Sequence, residues 1–246
     1  MDYDFDTPVE RRGSDSSKWG RYAGRDVIPM WVADMDFRSP PAVIEALRAR
    51  AEHGVFGYVQ PPPGLTEAVL ERLAAWHGWR AEPDWLVWLP GLVSALNVCC
   101  RLLQPEQTAL TLTPVYYPFL QAPQNMERTL IRVPLAEDQS RWQIDFDRLE
   151  AAVTSRTRLF LLCNPHNPVG RVYQRNELEA LVAFCDRHDL LLCSDEIHAE
   201  LVLDPHCRHR PVAALDPETA ARSITLMAPS KTFNLPGLYC GFALIP

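Results

Sequence analysis

Two rhythms of apolar residues run along this chain. In "SPPAVIEALRARAEHG" (39–54), "GLTEAVLERLAAWHGW" (64–79) and "QRNELEALVAFCDRHD" (174–189) apolar side chains recur every three to four positions, which predicts helices. The first opens on Ser-Pro-Pro and closes on Gly54, a start and a stop signal. "GLVSALNVCCRLL" (91–103) predicts an apolar helix, "YYPFLQAPQN" (116–125) a short one and "DFDRLEAAVT" (145–154) a capped one. Between them lie short apolar runs that predict strands: "WLVWL" (85–89), "TALTL" (108–112) and "TLIRVPL" (129–135). "RLFLLCN" (158–164), "LLLCSD" (190–195) and "SITLMA" (223–228) are Leu-rich without alternation, as expected of parallel strands covered on both faces. A further apolar run, "YCGFALI", follows at the end of the chain. Strand–helix–strand repetition predicts an α/β fold, a mostly parallel sheet with helices on both faces.

Composition narrows the partners. At 246 residues the chain suits one large α/β domain or two smaller ones, and 47% hydrophobic content supports a substantial core. The net charge is −7 and no basic block occurs, which argues against nucleic acid or an anionic membrane surface. The start, "MDYDFDTPVERRGSDSSKWG", has no apolar stretch of the signal-peptide kind, and no run nears the ~18 apolar residues of a membrane span. The seven cysteines form no CxxC pair and no zinc spacing, so they read as buried thiols of a reducing cytoplasm. His206, Cys207 and His209 in "DPHCRHRP" read as a polar surface loop, since zinc sites ask for four regularly spaced ligands. No metal is expected.

Polar residues gather at strand ends. In open α/β sheets ligands bind beyond the C-terminal ends of the parallel strands. One predicted strand runs into Asn164 and Asn167, the next into Asp195 and His198, and a third into Lys231. Each has a plain reading: Asn-Pro makes turns, and a Ser-Asp strand end makes a helix cap. Lys231, in "APSKTFNLPGLYCGF" (228–242), sits on a short loop between apolar runs, poorly placed for a surface charge and better placed for a nucleophile. An amide, a carboxylate and an amine on one sheet edge favour function.

"NPHNPVG" (164–170), "SDEIH" (194–198) and "PSKTFNLPG" (229–237), in that order, resemble fold-type I pyridoxal 5'-phosphate (PLP) enzymes, the aspartate aminotransferase superfamily of class I/II. "WVADMDF" (31–37), "FGY" (56–58) and "PVYYPF" (114–119) resemble its MalY/PatB branch, the cystathionine β-lyase type of C–S lyase. The resemblance implies a PLP-binding large domain over 46–246. It also implies an N-terminal segment (1–45) of a small domain whose C-terminal part, with the arginine for the substrate carboxylate, lies outside this chain. Lys231 would form the Schiff base and take the Cα proton. Asp195 would pair with the ring nitrogen, Asn167 would bond the phenolic oxygen, and His198 would stand where many transaminases carry a tyrosine. Tyr116, with Tyr117 as rival, would stack on the ring. Backbone amides of Leu92 and Val93 would hold the phosphate at a helix start, with Ser230 as a further candidate. Tyr58 would reach the phosphate of a neighbouring subunit, implying a homodimer with shared sites. Trp31 would line the substrate pocket, while Asp34 and Met35 fit either its border or the core. Ala228 and Tyr239 depart from the wider superfamily, which often has serine and arginine there.

The expected activity is β-elimination from cystathionine or a related cysteine S-conjugate, giving a thiol, pyruvate and ammonia. An aminotransferase and a non-catalytic PLP-binding or interaction fragment stay open. Without the C-terminal domain, this form is expected to bind PLP weakly and turn over poorly.

Overall fold

The computed structural model describes residues 3–138 and 141–246. The chain divides into two compact units, Met1–Gln60 with Pro229–Tyr239, and Pro61–Ala228 with Cys240–Pro246.

In the first unit, α1 (Ser17–Gly20) starts at Ser16, whose hydroxyl accepts the Trp19 N–H. Helix α2 (Pro41–His53) has proline at its first turn and ends at Gly54, whose φ of +72° is the left-handed conformation that favours glycine. What organises this unit is ionic. Arg11 reaches Asp34 at 2.5 Å and Asp36 at 2.7 Å. Lys18, with its side chain only 8% exposed, bonds Asp36 at 2.7 Å and the Asp34 carbonyl at 2.9 Å. The Trp19 indole N–H adds a third donor to Asp36. Burial pushes the Asp36 carboxyl up, but the bonds from Lys18, Trp19 and Arg11 outweigh it and bring its pKa down to about 2. Both acids of "WVADMDF" are thus committed to structural pairs.

The second unit carries the sheet. In chain order it contains α3 (Pro63–His77), β1 (Leu86–Leu89), α4 (Leu92–Cys100), β2 (Thr108–Thr113), α5 (Pro118–Asn125), β3 (Thr129–Pro134), β4 (Ala136–Asp138) and β5 (Arg141–Gln143). It continues with α6 (Phe146–Ala152), β6 (Thr157–Cys163), α7 (Arg175–Arg187), β7 (Leu191–Asp195), α8 (Pro217–Ala221), β8 (Ser223–Met227) and β9 (Gly241–Leu244). Seven strands form one sheet in the order β1-β9-β8-β7-β6-β2-β3. All neighbours from β3 to β8 pair in parallel, and β9 runs antiparallel between β8 and β1.

The pleat divides the apolar strands between two cores. Leu159 and Leu161 of β6 join Leu96 of α4 and Phe119 of α5 on one face. Phe160 and Leu162 join Leu149 of α6 and Phe184 of α7 on the other. A strand buried on both faces needs no polar alternation, which is why these runs read as continuous Leu.

The predicted helices and sheet strands are present, with ends shifted by a few residues. The β4–β5 hairpin was not legible: its strands, "AED" and "RWQ", have no apolar run. Two expectations are corrected. His209 is buried, so "DPHCRHRP" is a surface loop only in part. Cys207 and Cys240 are partly exposed, while the other five thiols are buried.

At Gly241 the strand meets α4 closely. A Cβ there would lie 2.6 Å from Leu92 Cδ1 and 3.5 Å from Gly91 Cα. Gly241→Ala should therefore force the buried Leu92 side chain aside and cost about 1–2 kcal/mol in urea unfolding, the low end of overpacking. An unchanged midpoint would contradict this close approach.

Candidate active site

The parallel register sets Cys163, the last residue of β6, beside Asp195, the last of β7. The chain then crosses over: the Asn164 N–H donates to the Asp195 carbonyl at 3.0 Å, and the Glu196 N–H donates to the Leu226 carbonyl of β8 at 2.8 Å. Asp195 is only 5% exposed. Its Oδ1 accepts the Ile197 N–H at 3.1 Å, which makes a local turn and not the helix cap that a Ser-Asp strand end can make, since residues 197–200 are turn.

Two further buried acids and bases adjoin this strand end. Glu196 Oε1 accepts from Ser194 Oγ and the Val212 N–H, and its Oε2 meets His209 Nε2 at 2.7 Å. Both side chains are almost fully buried, so the pair is needed to offset the desolvation of Glu196. The His77 ring stands edge-on to His209, and burial, then the neighbouring His209, lowers its pKa. The only sequence signal for this cluster is the "DE" step of "SDEIH".

The loop after β6 is tied back on itself and to the loop after β2. The Gly170 N–H donates to the His166 carbonyl at 2.8 Å, and the Asn167 N–H to Cys163 Sγ at 3.4 Å. The Tyr116 N–H donates to the Asn167 carbonyl at 2.9 Å, which fixes Tyr116 beside Asn167. His166, 1% exposed, holds the loop from within. Its Nε2 faces the Pro114 carbonyl and its Nδ1 the Tyr173 hydroxyl, both at 2.8 Å. A carbonyl only accepts, so Nε2 carries the proton and the Tyr173 hydroxyl donates to Nδ1. Burial, foremost, brings the His166 pKa down to about 4. Asn164 is fully buried, and its Oδ1 has no hydrogen-bond partner among the described residues.

Tyr116 is 36% exposed and Tyr117 58%, with rings edge to face at 5.0 Å. Burial first, then Tyr117 and the charge of Asp195, push the Tyr116 hydroxyl up to about 12, so it stays a neutral phenol. The more buried Tyr116, bonded to the Asn167 loop, is the better placed of the two. Asn167 and His198 line one cleft of about 700 Å³, together with Trp142, Leu201 and Arg141.

Helix α4 starts at Gly91, whose φ of +149° favours glycine and which gives no side-chain cap. Leu92 and Val93 follow as the first two helical residues, whose N–H groups have no acceptor within the helix. Leu92 is buried and Val93 half-exposed.

The remaining predicted residues belong to the other unit. Lys231 and Ser230 share one tight turn, and Lys231 follows the end of β8 by four positions in the chain. The Phe233 N–H donates to the Pro229 carbonyl at 3.0 Å and the Leu235 N–H to the Ser230 carbonyl at 2.9 Å. Ser230 is buried, and Tyr58 is fully exposed. Trp31 is exposed, bonds the Lys18 carbonyl and lies under Arg21. Among the described residues there is no group of His, Cys, Asp and Glu that could hold a metal, and no helix long and apolar enough to cross a membrane.

The depressed pKa of His166 has a pH consequence. In the unfolded chain a histidine takes a proton near pH 6.5, and in the fold only near 4, so the unfolded state binds more protons between these values. The contribution is complete above pH 6.5 and is lost as pH falls towards 4. Urea unfolding at pH 7 and 5 should show a loss of about 2 kcal/mol from this group. His166→Gln should shrink the difference; an unchanged pH dependence would contradict the buried neutral imidazole.

Comparison with known proteins follows the same lines. The model of the family "Aminotransferase class I and II" matches residues 25–246. Cystathionine beta-lyase PatB of Bacillus subtilis (strain 168) is 40% identical over 248 residues, covering 98% of this chain and 64% of that protein. The solved structure of OvoB is 47% identical with a TM-score of 0.95, covering 99% of this chain and 65% of the other. Cystalysin from Treponema denticola, which contains a pyridoxal 5'-phosphate cofactor, is 35% identical with a TM-score of 0.93, covering 100% of this chain and 64% of the other. The chain thus spans a little under two thirds of each of these three proteins. By the extent of the family match, it belongs to the aminotransferase class I and II family.

Proposed function

We propose that the chain forms the cofactor-binding part of a PLP-dependent C–S β-lyase that acts on cystathionine or a related cysteine S-conjugate. The observation that carries the reading is the buried Asp195 carboxylate at the end of β7, flanked by the Asn164–Gly170 loop and by Tyr116. The similarity to PatB and to cystalysin supports both the cofactor and the reaction class.

The donor set suits PLP. Asp195, buried at the strand end, suits the cofactor's ring nitrogen, which becomes a cation on protonation. Gly91 leaves the start of α4 without a side-chain cap, so the amides of Leu92 and Val93 suit a phosphate. Tyr116, kept neutral, offers a flat face for a ring. Bound PLP supplies an electron sink for negative charge developing at the substrate Cα. Asp195 holds a proton on the ring nitrogen. Asn167 donates its side-chain amide to the phenolic oxygen, and His198 stands on the same side. Ser230 is a further phosphate donor. Lys231 anchors the cofactor; its amine then takes the Cα proton, the thiolate leaves Cβ with the electron pair of the broken C–S bond, and the proton passes to the thiolate to give the thiol. Water completes the reaction to thiol, pyruvate and ammonia. Tyr58 serves the phosphate of a second copy in a homodimer, and the reaction runs in the cytoplasm.

Amino transfer is the second reading, favoured by the family's description. It shares every step up to removal of the Cα proton.

The chain has two lysines, Lys18 and Lys231. Lys18 is committed to Asp36. Borohydride reduction in the presence of PLP should label the Lys231 peptide, and cystathionine should yield thiol and pyruvate with no keto-acid acceptor present. Label on Lys18 alone, or acceptor-dependent amino transfer without thiol, would contradict the proposal.

A further inference from the structure

Asn234 lies three positions after Lys231 and is held in an unusual way. Its Oδ1 accepts the Met35 N–H at 2.9 Å, while its Nδ2 donates to the Met35 carbonyl at 3.1 Å and to the Phe37 carbonyl at 2.8 Å. The Ser39 hydroxyl donates to the Asn234 carbonyl at 2.8 Å. One side chain thus reads both sides of the Met35 backbone across nearly two hundred residues of sequence. Its own backbone is left-handed, with φ of +53°.

The backbone explains why this residue stands here. Phe233 donates to Pro229 and Leu235 to Ser230, so Lys231 lies within a single helix-like turn. The bond from Leu235 back across five residues, with a left-handed residue between, is how a helix is closed by a Schellman motif. Glycine and asparagine take that conformation most readily. Of the two, only asparagine also brings one acceptor and two donors on a short arm. Both requirements, the turn and the double-sided grip, are met by one residue type.

The gripped segment is itself fixed. Met35 lies between Asp34 and Asp36, whose side chains are locked to Arg11 and Lys18. The "ADMDF" stretch therefore offers a rigid backbone for Asn234 to hold.

We propose that Asn234 is a positioning residue for Lys231, and that "ADMDF" contributes as the foundation it grips. The functional weight of this inference rests on the reading of Lys231 as the cofactor lysine; the anchoring itself does not. Loss of the side chain would leave the turn able to form but free to shift, and the amine with it.

The test uses protein labelled with ε-¹³C-lysine, without cofactor. Two lysines give two signals, and Lys18, inside the foundation, is the internal control. Asn234→Gly keeps the left-handed backbone and removes all three amide bonds. It should shift the titration midpoint of Lys231 by about half a pH unit, leave that of Lys18 in place, and speed amide exchange at Phe233 and Leu235 about tenfold, the factor carried by one or two net hydrogen bonds. A change at both lysines, or at neither, would overturn the proposal. If Asn234→Gly does not fold, Ser39→Ala, which removes only the bond to the Asn234 carbonyl, should give the same selective change at Lys231, and its failure to do so would overturn the proposal equally. Reduction with PLP separates the two claims. If the wild type labels at Lys231, the Asn234 variant should label about tenfold more slowly. If the wild type does not label there, the functional reading falls, while the lysine signals still decide the anchor.

Discussion

A buried carboxylate at the end of a buried strand is the constraint around which the second unit is arranged. Removing a carboxylate from water is costly unless compensating groups surround it. At Asp195 the parallel pairing of β6 with β7 provides the setting. The Asn164 N–H binds the Asp195 carbonyl, the next peptide bonds β8, and Ile197 turns back onto the side chain. The charge is felt at Tyr116 and Cys163, whose pKa values burial and Asp195 together raise. It is this acid that the proposed function pairs with the ring nitrogen of the cofactor.

The first unit works on a different principle. A four-residue ion network and the bonds of Asn234 tie it together, and α2 contributes no fully buried side chain. Such networks define a geometry more than they add stability, because each pair gives up hydration to form. The lysine loop is too short for a core of its own, and the bonds of Asn234 tie its backbone to the network.

Much of this was legible in the sequence. The apolar runs marked β6, β7 and β8, because strands covered on both faces carry a signal that survives without alternation. Asn167, Asp195 and Lys231 stood out because each follows such a run. Other features depend on contacts that no local pattern encodes. The direction of β9 is one, since an apolar run fixes a strand but not its sense. The burial of His209 is another: it follows from Glu196, thirteen positions earlier, and "DPHCRHRP" alone looks polar. His166 sits inside a motif conspicuous for its asparagines, and only the fold shows that its two ring nitrogens, bonded to Pro114 and Tyr173, hold the loop that carries Asn167. Asp34 fits either the border of a pocket or the core by its sequence alone, and its partner Arg11 lies in a stretch with no recognisable motif.

The central claim is that Asp195 keeps the ring nitrogen of PLP protonated. The direct measurement is the ¹⁵N chemical shift of that nitrogen in protein loaded with ring-¹⁵N-labelled PLP. At pH 8 the wild type should give the shift of a protonated pyridinium, and Asp195→Asn that of a neutral pyridine. A neutral-pyridine shift in the wild type, or a pyridinium shift that survives Asp195→Asn, would contradict the account.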